Sequence, residues 1–324
     1  MYLRTKLTYL AFAVLLYGAS SCSTRQAEKA MPPFPHELSL KAEEHHIDEV
    51  LNPAFMMLKG RSLFVTNERN DSMLYQYSIP DFRLLHAGGA KGQAPGEFQL
   101  FPMFCRSQSD LMYIWGYTPF TIKAFAMEKD QSLEENKVYT LPRYESFNQM
   151  HIIGDSVLIY SAIPDEFAIK RISMDTFEKT GEIRFRTDSH PETFFYRDRG
   201  IMAANDSFIV YAYLFRKQID IYSARTLRLL HRLVDDNAPV NIRTGDFEHT
   251  TYYYTNVVAG KDRFYAMCEE GNGTSCMEVF DYEGNPIARY RTDPVPVLFD
   301  VDERNRCIYG YSYEREDCFL KFNL

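Results

Sequence analysis

The sequence has no apolar run long enough to cross a bilayer as a helix, which takes about 20 residues. It also has no excess of positive charge, because 44 acidic residues outnumber 36 basic ones and give a formal net charge of −8. A net negative chain is poorly suited to the phosphates of nucleic acids, so we expect no nucleic-acid partner. No two of its 6 cysteines have the C-x-x-C spacing of zinc or thioredoxin-like sites.

Catalytic and metal-binding signatures are equally scarce. There is no G-x-S-x-G element for a nucleophilic serine. The acidic clusters at residues 235–237, 269–272 and 300–303 lack the spacing of a calcium loop, and we interpret them as solvated loops. His45 and His46 are adjacent and have no second pair, so we expect exposed or turn histidines. The sequence therefore predicts no catalytic residue, no cofactor and no metal ligand, although a triad assembled from distant segments stays open.

The N-terminal segment has the pattern of an export signal. Basic residues precede an apolar stretch at residues 7–17, which has the length of a signal-peptide h-region. Small residues then lead to Cys22, as in the lipobox of bacterial lipoproteins, although Ala19 stands where that motif usually has leucine. An ordinary secretory signal with an incidental cysteine is the alternative. We expect a signal peptide at 1–21, a lipidated Cys22 in a flexible tether at 22–35, and a location in the cell envelope, at the outer membrane.

A strand-like pattern recurs along the rest of the chain. Each copy is a polar turn followed by alternating apolar residues, as in GDSVLIYS and NDSFIVYA. The first strand residues of the copies lie 43 to 56 residues apart and are Leu63, Leu111, Val157, Phe208, Phe264 and Cys307. One apolar stretch precedes each copy and further short strands follow it, which makes four strands per unit.

Repeats of about 40–50 residues with four strands are typical of β-propeller blades. The sequence therefore predicts an all-β fold, a six-bladed propeller of four-stranded antiparallel blades, over residues 36–324. The last unit ends at its third strand, whereas a spare strand at residues 36–41 precedes the first unit. We expect this N-terminal strand to complete the last blade and close the ring.

The stretch GGAKGQAPGEF at residues 88–98 has a composition found in phosphate-binding loops, with four glycines and Lys91. A Walker-type loop needs G-x-x-x-x-G-K-[ST] followed by a helix. Here the spacing differs, Pro95 lacks an amide donor, and strand-like residues follow. We interpret the loop as a connector between blades whose glycines allow turns, with Lys91 and Gln93 as contacts for a partner.

With its lipoprotein-like leader, six predicted blades and this loop, the chain resembles the TolB-like six-bladed propeller lipoproteins of Bacteroidetes. Many of these proteins carry a G-x-G-x-GPGEF stretch at the same place. The matching residues here are Gly92, Pro95, Gly96, Glu97 and Phe98. Ala94 replaces a common glycine. The resemblance covers about residues 36–324, and it implies an envelope lipoprotein without supplying catalytic residues.

We expect a binding surface on the face formed by the loops into each innermost strand and the loops between second and third strands. Exposed aromatic and arginine side chains on such loops favour recognition of a protein or peptide. The residues assigned to this face are Lys91, Trp115, Tyr117, Arg197, Arg199, Arg216 and Tyr254, with Arg69, Lys217, Tyr252 and Tyr253 beside them. Packing between blades is the alternative role of the aromatic residues, because alternation buries one face of a strand.

The sequence thus predicts a lipid-anchored extracytoplasmic scaffold that binds a protein or peptide and is not an enzyme. The alternative is a propeller lyase or hydrolase that acts on a glycan or peptide at the channel mouth. A histidine or tyrosine converging with carboxylates in the channel would favour the enzyme. Cys268 and Cys276 flank one predicted hairpin loop, and export would allow them to form a disulfide.

Overall fold

The computed structural model describes residues 27–49, 52–67, 72–94, 96–142, 147–162, 167–185, 195–270 and 274–324. These residues form 26 β-strands and no α-helix, so the predicted all-β class is confirmed for them. Within the same ranges there is accordingly no helix long and apolar enough to cross a membrane. The predicted signal peptide, Cys22, Arg69 and Pro95 lie outside the described residues.

Three short strands come first, and the remaining strands follow in sets, numbered one to six here, that each form an antiparallel meander. The three short strands are β1 (Ala27–Ala30), β2 (Glu37–Lys41) and β3 (Glu43–His46). Sets one and two are β4 (Pro53–Lys59), β5 (Ser62–Asn67), β6 (Leu74–Ser78) and β7 (Leu84–Gly88), then β8 (Phe98–Ser107), β9 (Met112–Tyr117), β10 (Thr121–Met127) and β11 (Leu133–Thr140).

The later sets repeat this order, and the last one has three strands of its own. Sets three and four are β12 (Asn148–Ile153), β13 (Val157–Ser161), β14 (Ala168–Ser173) and β15 (Lys179–Arg184), then β16 (Gly200–Ala204), β17 (Phe208–Tyr213), β18 (Gln218–Ser223) and β19 (Leu229–Val234). Sets five and six are β20 (Tyr254–Ala259), β21 (Arg263–Glu269), β22 (Ser275–Asp281) and β23 (Pro286–Asp293), then β24 (Leu298–Asp302), β25 (Cys307–Tyr311) and β26 (Cys318–Asn323).

Burial follows the position of a strand within its set. The second strands β5 and β9 are buried along their whole length, because neighbouring sheets cover both of their faces. The fourth strand β11 reads LEENKVYT and is mostly exposed. Continuous apolar runs therefore mark the middle of each sheet, and polar strands mark its outer edge.

The first strands of the sets contact one another in order throughout the described part of the chain. β4 lies against β8, β8 against β12, β12 against β16, β16 against β20, β20 against β24, and β24 against β4. At the contact between the last and first sets, the rings of Tyr77 and Phe82 pack on Phe319 with centroids 5.1 and 5.5 Å apart. The first strands thereby surround a central channel.

The strand that pairs with the last set is β3, and not residues 36–41 as the sequence predicts. β3 runs antiparallel to β26, with Glu43 opposite Lys321, whose Nζ donates to Glu43 Oε2 at 2.8 Å. Residues Glu37–Lys41 instead run parallel to β23 as a fifth strand of set five. The prediction followed the clear apolar–polar alternation of LSLK, which EEHH lacks. It is wrong because an outermost strand does not need this alternation, only polar side chains that find partners.

The expected flexible tether at 22–35 is docked onto the fold from residue 27 onward. β1 runs parallel to β19 at the outer edge of set four. The amide of Met31 donates to the carbonyl of Val234 at 2.8 Å, and the ring of Phe34 lies 5.2 Å from that of Phe280. The expectation of flexibility is therefore wrong for residues 27–34, because apolar side chains there find buried partners.

The glycine loop closes over Phe98 and leads into β8, as a connector should. The amide of Phe98 donates to the carbonyl of Ala90 at 2.9 Å, and the amide of Gly92 donates to the carbonyl of Phe98 at 3.0 Å. Gly89 has φ +81°, and a Cβ there would lie 2.3 Å from the Phe98 ring. These amides bond within the loop, so they do not form a phosphate cradle.

Candidate functional site

The central channel has a volume of about 250 Å³ and is lined by the first strands of all the sets. Most of its wall is apolar, with side chains such as Met103, Met202 and Phe299. Two of its polar side chains, Arg106 and His151, lie on the neighbouring strands β8 and β12. These strands pair in parallel, with His151 opposite Arg106. The chemistry of the channel depends on what these groups contact.

Arg106 forms an ion pair across β4. Its Nη1 donates to Asp300 Oδ2 at 2.6 Å, and its Nη2 donates to the carbonyl of Met56 at 2.9 Å. Asp300 Oδ2 also accepts the amide of Leu58 at 2.7 Å. Asp300 is only 5 % exposed, and a carboxylate that buried is tolerated when it is paired and hydrogen-bonded. The pair therefore links sets two, one and six.

His151 is buried beside this ion pair. Burial, with the Arg106 guanidinium nearby, lowers the pKa of His151 to about 3, so its imidazole is neutral. Its Nδ1 accepts the amide of Ala204 at 3.3 Å. Among the residues that the structure describes, no carboxylate is bonded to His151. The described part of the channel thus holds a hydrogen-bonded ion pair and a neutral imidazole, without the histidine–carboxylate contact that would favour the enzymatic alternative.

One end of the channel opens into a second cavity of about 530 Å³, which we name the aromatic mouth. It lies where β12, β16 and β20 begin and where β17 and β21 end. Its lining consists of Gln149, Arg199, Gly200, Ile201, Leu214, Phe247, Tyr252, Thr255 and Glu269. This is the face, formed by loops into innermost strands, on which the sequence predicts a binding surface.

A row of aromatic rings leads from the core to solvent at this mouth. Phe215 is fully buried, and its ring centroid lies 5.6 Å from Tyr252 and 6.2 Å from Phe195. Phe195 in turn lies 4.8 Å from Phe247, which is 57 % exposed. An exposed ring supported by buried rings presents apolar area in a fixed position, as anchor residues of interfaces do.

The loop at residues 235–253 holds Phe247 through its own hydrogen bonds. Thr250 Oγ1 accepts the amide of Arg243 at 3.0 Å and donates to the carbonyl of Asp246 at 2.7 Å. Thr250 is itself buried. Loops of this length in compact domains are usually functional or disordered, and internal bonding of this kind favours the first. The exposed ring therefore belongs to a structured platform.

Two ionisable groups line the aromatic mouth in a partly desolvated setting. Burial lowers the pKa of Arg199 and raises the pKa of Glu269. Electrostatic interactions are stronger in such places than in bulk water. The cavity wall can thus discriminate between charged groups of a bound segment in addition to burying an apolar one.

Three of the predicted contact residues are buried. Trp115 is 2 % exposed and lies edge-on against Phe147 between sets two and three. Tyr117 lies in the core between sets one and two. Tyr254 is fully buried and donates its hydroxyl to Glu278 Oε2 at 2.9 Å. The expectation that these three face a partner is wrong, because central strands are covered on both faces.

The predicted arginines gather beside the aromatic mouth. Arg199 lines it, and Arg197 is exposed two residues earlier. Arg216 Nη2 donates to Asp198 Oδ1 at 2.5 Å, and its guanidinium lies 4.0 Å from the centroid of the Tyr213 ring. This ion pair places the third arginine next to the other two.

The remaining predicted residues have other surroundings. Lys91 is exposed on the glycine loop between sets one and two. Lys217 Nζ lies 3.5 Å from Glu278 Oε1, and the buried Tyr253 donates its hydroxyl to the carbonyl of Pro239 at 2.6 Å.

Sequence reasoning missed Phe247 and Glu269. A single aromatic residue within the polar segment 235–251 was the available signal for Phe247.

A larger cavity of about 840 Å³ lies at the other ends of the first strands, where β4 and β24 end. Its cationic lining residues are Lys59, Arg61, Lys129, Lys261 and Arg304. Lys59 Nζ donates to the carbonyl of Ser107 at 3.1 Å, and burial lowers the pKa of Lys59. Two of the acidic lining residues are engaged locally, since Asp302 accepts the amide of Asn305 and Glu303 accepts the amide of Lys261. With five cationic and four acidic lining residues, this cavity is less negative than the net charge of the chain suggests.

No protein-family model and no curated protein sequence matches the chain. Solved structures do match it. U3-55K is 10% identical, with a TM-score of 0.50 over 87% of this chain and 98% of that one. Raptor from Chaetomium thermophilum is 12% identical, with a TM-score of 0.50 over 88% of this chain, which spans only 29% of Raptor. The Pan2 WD40 domain from Neurospora crassa is 10% identical, with a TM-score of 0.48 over 89% of this chain and 98% of that one. At these identities the likeness to the first two shows the fold alone, and that fold is a β-propeller.

Proposed function

We propose that this protein is a lipid-anchored, extracytoplasmic β-propeller of six blades that binds a protein or peptide partner at the aromatic mouth. The bound segment would place an apolar or aromatic side chain against Phe247 and a charged group near Arg199 and Glu269. No chemical step is part of the proposal, and the partner is recognised by its surface alone.

The count of six blades and the closure of the ring are supported by the strand contacts. Each set supplies one innermost strand, and these strands contact one another in order from β4 to β24 and back to β4. The pairing of β3 with β26 gives the last set its fourth strand. A sheet completed by both ends of the chain holds its first and last blades together.

The observation that carries the binding role is the exposed ring of Phe247 on a structured loop. Large exposed apolar side chains supported by a packed aromatic cluster are typical of interface anchors, and arginines are enriched around them. Here Arg199 lines the aromatic mouth together with Phe247, Arg197 is two residues away in the sequence, and Arg216 pairs with the intervening Asp198. A mixed aromatic and charged surface of this kind fits a peptide segment.

The proposed location rests on the N-terminal sequence and on the resemblance to the TolB-like lipoproteins of Bacteroidetes. Replacement of Cys22 by alanine should move the protein from the membrane fraction to the soluble fraction after cell lysis. Cys105→Ala is the matched control, because Cys105 is buried in the fold and should leave the protein on the membrane. Retention of Cys22→Ala in the membrane fraction would show that the lipid anchor is not at this residue.

The binding role is tested by photo-crosslinking in intact cells. A p-benzoyl-phenylalanine at position 247 should give a discrete adduct with a partner protein on a denaturing gel. The same probe at position 138 is the control, because Val138 is exposed (44 %) on the outer strand β11, away from the aromatic mouth. Equal adducts at both positions, or none at position 247, would contradict a partner at the aromatic mouth.

A further inference from the structure

Three kinds of metal-binding side chain converge where the N-terminal strand β3 pairs with the C-terminal strand β26. His46 and Cys318 are directly opposite each other in the register of these strands. Asp317 immediately precedes Cys318, and one ligand atom from each of the three residues lies within 4.8 Å of the other two. Imidazole nitrogen, carboxylate oxygen and thiolate sulfur are the donors found in protein zinc sites.

Two separations in the cluster, each to a different carboxylate oxygen of Asp317, are close to the spacing of donors around one zinc ion. His46 Nδ1 lies 3.3 Å from Asp317 Oδ2, and Cys318 Sγ lies 3.6 Å from Asp317 Oδ1. With metal–ligand bonds of about 2.0–2.3 Å, neighbouring donors of a tetrahedral zinc ion are roughly 3.3–3.8 Å apart. To bind one ion, the side chains would rotate until three ligand atoms that now lie within 4.8 Å of one another reach this spacing.

The other nitrogen of His46 already has the partner that metal-bound histidines usually have. His46 Nε2 lies 3.0 Å from Asp48 Oδ1. A carboxylate that accepts the second N–H fixes the ring orientation and makes the first nitrogen a better ligand. Asp48 would thus act as a positioning residue and leave Nδ1 free to bind the ion.

Without an ion, ion pairs and a hydrogen bond connect the three side chains of the cluster. A protonated His46 between Asp48 and Asp317 would explain the two His–Asp contacts. The Cys318 thiol donates to Asp317 Oδ1 at 3.6 Å, so the same carboxylate contacts both the imidazole and the thiol. A divalent cation would take the place of the thiol proton, because it stabilises the coordinating thiolate, and all three groups would then share one site.

We propose that His46, Asp317 and Cys318 bind a Zn²⁺ ion, with a water molecule as the fourth ligand. Binding replaces the thiol proton of Cys318, which is released to solvent, so the affinity increases with pH. The ion ties β3 to the segment that begins β26. It therefore fastens the N-terminal end of the chain to the C-terminal end, independently of any partner at the aromatic mouth.

The test uses Co²⁺ as a spectroscopic probe on the metal-free full-length protein. One equivalent of Co²⁺ should produce a thiolate-to-cobalt charge-transfer band, and added Zn²⁺ should remove it. Cys318→Ala should abolish the band, and His46→Gln should weaken Co²⁺ binding at least about 10-fold. Asp48→Asn should weaken Co²⁺ binding by about 10-fold or more, as removal of an orienting carboxylate does.

Two variants serve as matched controls. Cys307→Ala removes another buried cysteine of set six, and His249→Gln removes another exposed histidine that contacts an aspartate. Both should keep the full band. Because Cys318 is buried and its loss can disturb folding, the exposed His46 provides the second test, with circular dichroism showing that the variant is folded.

A thermal measurement gives an independent readout. Zn²⁺ should raise the melting temperature of the unaltered protein and of Cys307→Ala, and should leave that of His46→Gln unchanged. The proposal is overturned if Co²⁺ gives no charge-transfer band, if Cys318→Ala keeps the band, or if the two controls lose it as well.

Discussion

Arg106 and Asp300 meet at 2.6 Å across strand β4, although 194 residues separate them in the sequence. Replacement of Arg106 by methionine leaves the carboxylate of Asp300 buried without its counter-charge. We expect the free energy of unfolding to decrease by about 3 kcal/mol, as measured by urea denaturation. Arg228→Met, at an exposed arginine, should change it by less than about 0.5 kcal/mol. Equal effects of the two variants would contradict a structural role of the pair.

His151 should make the stability of the protein depend on pH. Its pKa is about 3 in the folded protein and near 6.5 when unfolded, so the unfolded chain binds the proton first as the pH decreases. The stabilisation is complete above pH 6.5 and is lost as the pH falls from 6.5 toward 3, by about 1 kcal/mol per pH unit. Between roughly pH 5 and pH 7, the free energy of unfolding from urea denaturation should therefore change more steeply with pH in the unaltered protein than in His151→Gln. The exposed-histidine variant His249→Gln should keep the steep slope.

Two glycines in different loops, one in the glycine loop and one in the loop at residues 235–253, separate steric clash from backbone strain. Gly89 and Gly245 both have φ +81°, but a Cβ at Gly89 would lie 2.3 Å from the Phe98 ring, whereas nothing lies within 4 Å at Gly245. Gly245→Ala should reduce the free energy of unfolding by about 1 kcal/mol, through backbone strain alone. Gly89→Ala should reduce it by about 3 kcal/mol, because overpacking adds to that strain. Similar values from chemical denaturation would show that Phe98 moves aside easily.

The platform under Phe247 should loosen when Thr250 loses its hydroxyl. Thr250→Val keeps the shape of the side chain but removes its bonds to Arg243 and Asp246. We expect a cost of about 1 kcal/mol and faster hydrogen exchange confined to residues 235–253. The crosslink from position 247 should become weaker as well. Thr226→Val, in an exposed turn, is the control, and unchanged exchange in the loop of Thr250→Val would contradict a platform held by this residue.

Repetition of short strands was readable in the sequence because each set repeats the same polar turn and apolar run. All six apolar stretches upstream of these runs are strands that line the channel. The sequence could not show whether residues 36–41 or β3 pairs with the last set, since both strands lie at exposed edges and neither buries a distinctive pattern. The partner of β3 is selected by long-range pairs such as Glu43 with Lys321, which local alternation does not encode.

The candidate site was predicted by region better than by residue. Arg199 lines the aromatic mouth and Arg197 is exposed near it, whereas Trp115 and Tyr254 are buried in cores between sheets. An aromatic residue in a central strand looks the same in sequence whether one face or both faces are covered. Phe247 lies in a segment without periodicity, so only the folded loop shows that its ring stands over a cavity.

The docking of β1 on the edge of set four determines how the proposed anchor would hold the protein. Ala27 is the first residue of β1, so the chain between Cys22 and the fold can reach about 17 Å at most when extended. If Cys22 is the anchor, so short a tether would keep the outer edge of set four, where β1 pairs with β19, close to the bilayer. An edge held in this way would leave both openings of the channel accessible to proteins in the same membrane.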